Sequence, residues 1–469
     1  MGFNFNKRFI IGGMVFCYFP FVLSFLFIHP IGDDMTYAAL GLKPDFWLAY
    51  ALEYKTWNGR YLSNFFVMIN PIRFGFVYGI ILYRTILFFL FICNFFSFYL
   101  FISIFLKNLF SSRKIIVFSA LLYFMYVFQL SSLSEGLYWY TGVVTYQLAF
   151  FFFCFFCYLL NLFRLNSFVL NTYFHLFLLH FLLFFIIGSN EIAMLYVLIL
   201  LFVLFFINKK VSFISSPILL SLCFFALFFS CFVYFSPGNT LRESYFIGKS
   251  HRLGHSILMS LMQCVRFVYL WFCNGFFLVI SFMYLKLHRY LNVNSSLFRA
   301  SFYMNRWLTL FLLCLIIFCS IFPLYWNTGI LGQYRTVNFG YGFFILFWFI
   351  NLTCWLNFYT LNPSSFFDRI PRNLVYSCLI IIGVLFGNSR IAWLDILSGK
   401  SNSFNLSLNK RYSTLSTFDK NKFSVYKLDT LSDRPASIFV YDIRSDPNYF
   451  VNTGYEKLLK MKGKIVSTN

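Results

Sequence analysis

Phe76–Leu106 reads FVYGIILYRTILFFLFICNFFSFYLFISIFL, a run with Arg84 as its one charged side chain. About 20 consecutive apolar residues suffice for an α-helix to cross the hydrocarbon core of a bilayer, so this stretch spans with residues to spare. The rest of the chain has the same character: 60% of it is hydrophobic, 11% is charged, and its mean hydropathy is +0.74. That is the composition of an all-α polytopic membrane protein, not of a soluble domain with a large core. Further spans are expected at Phe9–Ile28, Ile115–Leu130, Val143–Leu162, Leu170–Ile187, Ile192–Ile207, Phe213–Phe235, Ser256–Leu285, Trp307–Tyr325, Tyr341–Tyr359 and Asn373–Ile391, eleven in all. The first is too long, and too poorly followed by small residues, to be a cleaved signal peptide. The pair around Gly188 is so tight that a re-entrant element is the alternative there.

Short cytoplasmic loops collect Lys and Arg. With the N-terminus inside, Lys7, Arg8, Lys107, Arg113, Lys114, Arg164, Lys209, Lys210, Lys286, Arg289, Arg299, Arg306, Arg369 and Arg372 fall on the cytoplasmic side, with Asp368 as the only acid among them. The other acids and the C-terminus then lie outside. The net charge of +22 is read as this topology plus contact with anionic lipid heads. The cations are scattered over loops and tail, so nucleic acid is not expected as a partner. All twelve cysteines fall in expected spans, Cys154 and Cys157 within a run of Phe, and suggest no redox, metal or disulfide role.

The segment leading into Phe76 is His29–Gly75, HPIGDDMTYAALGLKPDFWLAYALEYKTWNGRYLSNFFVMINPIRFG. It holds four of the fifteen acidic residues, including the pair Asp33 and Asp34 at the exit of the first span. Pro44–Asn58 reads as a helix started by Pro44 and stopped at Asn58-Gly59. Phe46, Tyr50, Tyr54 and Trp57 share one face, which is expected to lie against lipid. Such a helix would hold the polar cluster Trp57, Asn58, Gly59 and Arg60 near the two aspartates.

Three more exterior segments carry chemistry. SLSEGLYWYTG sets Glu135 beside Tyr138, Trp139 and Tyr140, and ring faces next to a carboxylate suit a sugar. The GSNE hairpin places Asn190 and Glu191 at the outer surface, where an acid is costly unless it is paired or faces a watery cavity. Arg84, Arg266 and Arg390 are the intramembrane cations available to pair with it. SPGNTLRESYFIGKSHRLGH opens with the turn Pro237-Gly238-Asn239, which aims Arg242 inward. With Lys249, Arg252 and Arg335 it gives the outer face guanidinium groups suited to phosphate oxygens. His251 and His255 have no metal-ligand spacing.

In this order, an acidic pair after the first span, then WNGRY, EGLYWYTG, GSNE and SPGN with an Arg downstream, the chain resembles the integral-membrane glycosyltransferases of the GT-C superfamily. More narrowly it is similar to the bacterial Gtr-type (serotype-converting) proteins that decorate O-antigen and related surface polysaccharides. The tail Tyr441–Met461, YDIRSDPNYFVNTGYEKLLKM, resembles the ending of that group. The resemblance implies a multi-pass protein of the bacterial inner membrane with its active site on the periplasmic side. There it would move a single sugar, such as glucose or another hexose, from a polyprenyl-phosphate donor to a polysaccharide such as lipopolysaccharide O-antigen. Asp33 or Asp34 matches the family's catalytic acid, and Glu135 is a further candidate. Arg242 and Arg335 first, then Arg266 and Arg60, would stabilise the leaving phosphate. Trp57, Trp139, Asn190, Glu191 and Asn239 are the candidates for holding sugar or acceptor. Some members of the superfamily use a divalent cation, but no three converging oxygen ligands are seen here, so no metal cofactor is expected.

From Trp393 onward charge, Ser, Thr and Asn rise. A small exterior α/β domain, residues 393–469, is expected to follow the membrane domain 1–392, with Ser437–Asp442 (SIFVYD) as a strand. Two rivals remain. A lipid-linked-sugar flippase or transporter would show paired broken helices and internal repetition. An O-antigen polymerase or ligase tends to carry its largest exterior loop in mid-chain, whereas the largest ones here lie at the two ends.

Overall fold

A computed structural model describes residues 7–107, 109–165, 171–209, 214–245, 248, 250–273, 275–294, 305–359, 372–419 and 424–468. Lys210, Lys249, Arg299, Asp368 and Arg369 lie outside the described residues. The apolar runs form helices because in lipid a backbone must satisfy its own N–H and C=O groups. In chain order these are α1 (Lys7–Ser24), α2 (Asp34–Gly41), α3 (Phe46–Thr56), α4 (Tyr61–Met68), α5 (Phe76–Leu106), α6 (Ser112–Gln129), α7 (Tyr140–Arg164), α8 (Thr172–Ser189), α9 (Glu191–Asn208) and α10 (Ser216–Tyr234). They continue with α11 (Pro237–Ser244), α12 (Leu253–Cys273), α13 (Phe276–Asn294), α14 (Arg306–Thr328), α15 (Arg335–Tyr359), α16 (Arg372–Leu385), α17 (Gly387–Leu397), α18 (Lys400–Thr417) and α19 (Phe450–Leu459).

Among the described residues eight helices are long and apolar enough to cross a membrane, and nine if the bent pair α16 and α17 is one span. The protein is a largely helical, multi-pass membrane protein. The expected Ser256–Leu285 span is two helices, α12 and α13, separated at Gly275, whose φ of +75° no helix can carry. Its second half, Phe276–Leu285, is a short apolar helix, as is the apolar part of α1, Gly12–Ser24. Asn373–Ile391 bends by 51° between α16 and α17. The pair around Gly188 forms two full helices, α8 and α9, rather than a re-entrant turn.

The chain forms two compact units. The first consists of Met1–Val22, Phe95–Ser131 and Lys249–Trp393. In it, α14 packs on α12 and α15. Gln129, closing α6, donates to the Trp271 carbonyl at 2.8 Å and accepts from the Tyr341 hydroxyl, and the Trp271 and Tyr341 rings stack at 4.5 Å. The bend at Gly387 follows from close approach: at φ +55° a Cβ there would lie 2.7 Å from the Phe128 carbonyl oxygen. Next to it, Asn388 donates to the carbonyls of Val127 and Leu130 at 2.9 Å each, satisfying acceptors that the end of α6 leaves open.

The second unit consists of Leu23–Asn94, Ser132–Gly248 and Leu394–Asn469. Asparagine caps set its helix starts: Asn171 accepts from Tyr173 N–H at 2.9 Å, and Asn190 from Ala193 N–H at 2.8 Å. Its tail contains α18, α19 and a parallel pair of strands, β1 (Val425–Leu428) and β2 (Lys464–Ser467), with Val425 opposite Lys464. Ser437–Asp442 is not a strand. Side chains replace the ladder there. Asp395 accepts from both the N–H and the hydroxyl of Ser437, and Asp442 accepts from Arg411 and from the N–H groups of Leu431 and Ile443. The tail lies on α2, so closely that a Cβ at Gly454 would sit 3.1 Å from the Thr36 hydroxyl.

Candidate functional site

The two adjacent aspartates have different surroundings. Asp34, the first residue of α2, is fully buried. Its Oδ1 accepts from the Thr141 N–H (3.1 Å) and hydroxyl (2.7 Å), and its Oδ2 from the Ile31 N–H (3.0 Å) and the Tyr83 hydroxyl (2.8 Å). All four partners are neutral. Burial, and then the charge of Asp33, push the Asp34 carboxyl up to about 7 against the pull of those hydrogen bonds. Asp34 therefore ties α2 to the EGLYWYTG segment and to α5. Asp33, at the N-cap of α2, is half-buried, with its Oδ1 closed off from solvent. Of the pair, Asp33 is the less buried.

WNGR, GSNE and SPGN interlock through their glycines. A Cβ at Gly59 would lie 2.3 Å from the Val233 carbonyl oxygen; one at Gly238 would lie 2.6 Å from the Trp57 nitrogen and 2.7 Å from that of Asn58. At Gly188 it would lie 2.0 Å from the ring of Tyr61, whose hydroxyl donates to the Phe184 carbonyl at 2.7 Å. Only glycine permits these approaches. They bring three charged residues together. Arg60 donates to Glu191 Oε2 through Nε at 2.8 Å and Nη2 at 2.7 Å, and Arg242 stands 3.6 Å from Oε1. Glu191 is thus paired from the extramembrane segments. Of the intramembrane arginines suggested for it, Arg84 is bonded instead to the Ile28 carbonyl (3.0 Å) and to Asn405 (2.8 Å).

The α3 helix is turned over relative to the sequence expectation. Asp45, not Pro44, caps it, accepting from Leu48 N–H at 2.9 Å. Tyr50 and Tyr54 face the protein, their hydroxyls donating to the carbonyls of Tyr61 and Phe232 at 2.7 Å each. The apolar side chains left outside are Trp47, Leu48 and Leu52, with Trp57 at the helix end. A tyrosine hydroxyl turned into lipid would lose these bonds, which decides the rotation.

The other expected site residues divide by exposure. Trp57 is exposed beside Tyr245, at 6.4 Å between ring centroids. Trp139 is fully buried, edge-on to Tyr441 at 6.0 Å, so the open ring face a stacked sugar needs belongs to Trp57 and not to Trp139. Glu135 is buried in a π-helical turn, Ser134–Tyr138. Asn190 is also buried and forms the corner between α8 and α9, donating to the Thr145 carbonyl at 2.8 Å. Asn239 donates to the Val233 carbonyl at 2.7 Å and accepts from Arg242 at 3.5 Å. Arg266 and Arg335 belong to the first unit, where Arg266 bonds Gln263 at 3.1 Å and Arg335 heads α15. Among the described residues no three His, Cys, Asp or Glu side chains gather where they could hold a metal. A cavity of ≈ 10 Å³, room for about one water, lies among Met35, Phe404, Arg411 and Tyr441, and none of the expected site residues lines it.

No protein-family model and no curated protein matches this chain. What marks the site is its own geometry, including residues that sequence reading passed over. Thr141 lies inside EGLYWYTG, quoted for its aromatic rings, and Tyr83 neighbours Arg84 in an otherwise apolar run. Glu53 is the fourth acid of the His29–Gly75 segment. It is half-buried, and burial pushes its carboxyl up to about 7.

These two raised groups set a pH dependence. The ordinary values are 3.8 for Asp34 and 4.5 for Glu53, and both stand at about 7 in the folded chain. Between those limits the folded state binds more protons than the unfolded one, so the stability they contribute is fully present at the acid end and is lost as pH rises through about 7. In detergent, the difference in thermal midpoint between the native protein and Asp34→Asn/Glu53→Gln is expected to turn against the native protein as pH rises through this window. A difference that grows in favour of the native protein would exclude the raised values.

Proposed function

We propose that the protein is a glycosyltransferase that moves one sugar, a hexose, from a polyprenyl-phosphate donor to a surface polysaccharide such as lipopolysaccharide O-antigen. On this reading the chain is a GT-C-like enzyme of the bacterial inner membrane, with its N-terminus inside and with α2 to α4 and the tail on the periplasmic side. The observation that carries it is the Arg60, Glu191 and Arg242 array, which falls in the same compact unit as the acidic segment whose Asp33 is less buried than Asp34. Asp33 takes the proton of the acceptor hydroxyl as that oxygen bonds to the anomeric carbon. The bond from that carbon to the phosphate oxygen breaks, its electron pair leaves on the phosphate, and Arg242 stabilises the charge that develops. Trp57 offers its exposed ring to the apolar face of the sugar.

The test is transfer of label from a radiolabelled polyprenyl-phosphate hexose to purified polysaccharide by membranes that contain or lack the protein. Transfer only with the protein present supports the reading. Equal label in both membranes, with a range of hexose donors, would overturn it. Mass analysis of surface polysaccharide from cells with and without the gene identifies the sugar and its point of attachment together.

A further inference from the structure

The tail has no part in the mechanism above, yet it walls the turn that carries Asp33. Gly32, the residue before Asp33, has a φ of +59°, and a Cβ there would lie 3.1 Å from Tyr441 Cδ2, 3.5 Å from Phe450 Cε2 and 3.5 Å from Trp139 Cζ2. Two of these three rings belong to the tail. One turn into α2 the contact continues, because a Cβ at Gly454 of α19 would lie 3.2 Å from Met35 Cβ.

The rings form a row. Trp139, fully buried, stands edge-on to Tyr441 at 6.0 Å between centroids, Tyr441 edge-on to Phe450 at 5.2 Å, and Phe450 meets Tyr449 at 4.8 Å. The row passes Gly32 and reaches the surface at Phe450, which is 40% exposed, and at the half-buried Tyr449. The Arg444 guanidinium lies on the Tyr449 ring at 4.4 Å. Between these two, Ser445, Asp446, Pro447 and Asn448 are exposed.

Exposed loops are usually mobile, but this one is braced. The side chain of Asn452, itself fully buried, accepts from the Arg444 N–H at 3.0 Å and donates to the carbonyls of Arg444 (2.6 Å), Asp446 (3.0 Å) and Ile465 (2.9 Å). The Asp446 carboxylate accepts from the Asn448 N–H at 2.9 Å. What the bracing holds out is a set of rings beside a guanidinium, a carboxylate, an amide and a hydroxyl. Rings take the C–H faces of sugars and the polar groups take their hydroxyls, and a surface fixed in advance loses little entropy on binding. Anionic lipid heads fit less well, since Asp446 would face their phosphates. A second copy of the chain would ask for a more apolar patch.

We propose that the loop Arg444–Phe450 is a binding surface for a carbohydrate chain, which lies on Tyr449 and Phe450 and leads along the row past Gly32 to Asp33. That this chain is the acceptor polysaccharide rests on the transferase reading. The surface itself does not.

Hydroxyl-radical footprinting of the full-length protein in nanodiscs tests the loop without any transfer. Purified, lipid-free O-polysaccharide from the strain that carries the gene is expected to protect Tyr449 and Phe450 from oxidation. Titration calorimetry with the same polysaccharide is expected to give a Kd that rises about 2- to 10-fold in Tyr449→Ala and stays native in Tyr449→Phe, which keeps the ring. Both substitutions are at the surface, and unchanged thermal midpoints show that the variants are folded. Oxidation that the polysaccharide leaves unchanged, or native affinity in Tyr449→Ala, overturns the proposal. So does protection by the nanodisc lipid alone, measured against detergent, which would make the loop a membrane contact. In the transfer assay Tyr449→Ala is expected to raise the KM for polysaccharide and to leave kcat and the donor KM as they are. Protection without transfer would end the transferase reading and keep the carbohydrate surface, whereas transfer with an unchanged polysaccharide KM in Tyr449→Ala would do the reverse.

Discussion

Asp33→Asn is expected to lower sugar transfer by about 10²–10⁴-fold, the usual worth of a positioned general base, with the protein still folded. Asp34→Ala is expected to act in the opposite manner. It strips a buried acceptor from the N–H groups of Ile31 and Thr141, and each buried donor left unsatisfied costs about 1–3 kcal/mol, so the first loop loses about 2–6 kcal/mol. The Thr141 hydroxyl can rotate, and the Tyr83 hydroxyl still has the Tyr138 carbonyl at 3.1 Å, so those two add little. Thermal midpoints in detergent and transfer rates, measured on the same preparations, separate the two roles. If Asp33→Asn retains native transfer, or if Asp34→Ala melts where the native protein does, the division between a working and a structural aspartate is wrong.

Why the chain displays some of this openly and hides the rest is a matter of which partner a feature answers to. Membrane crossing depends on a run of residues taken alone, and Phe76–Leu106 is a helix over the range read from its apolar run. The bends depend on distant atoms. Gly387 looks like any glycine in an apolar run until the Phe128 carbonyl is placed beside it. Periodicity gave α3 an aromatic stripe but not its direction, which is set by the Tyr61 and Phe232 carbonyls. Glu191 was legible as an acid in need of a cation, but the partners come from WNGR and from the helix after SPGN, segments far away in the chain that only the glycine contacts bring near. The acidic pair was visible as a pair. That one member is consumed by Thr141 and Tyr83 was not, because a threonine among aromatics and a tyrosine in a span carry no outward mark of that use.

The Arg60, Glu191 and Arg242 array yields the second large effect, and its two arginines are not equivalent. Breaking a buried ion pair costs about 3–5 kcal/mol; here the three side chains keep 17% to 19% exposure, so Glu191→Ala is expected to cost about 2–3 kcal/mol once solvent screening is allowed for. Nearly all of that belongs to Arg60, which puts two N–H groups on one oxygen at 2.7 and 2.8 Å. Arg242, at 3.6 Å from Glu191 and 3.5 Å from Asn239, forms no close bond to either. A double-mutant cycle of Glu191→Gln with Arg60→Gln is therefore expected to give a coupling above about 1 kcal/mol in thermal stability, and the cycle with Arg242→Gln one below about 0.5 kcal/mol. Arg242→Gln is expected to spare stability and to lower transfer by about 10²–10³-fold, as removal of one oxyanion donor does. The loosely held guanidinium is the one with a hydrogen-bonding edge left for a phosphate oxygen, while Arg60 spends its own on holding the site together. Equal coupling at both arginines would mean that neither is reserved for a ligand, and the array would then be a structural clasp.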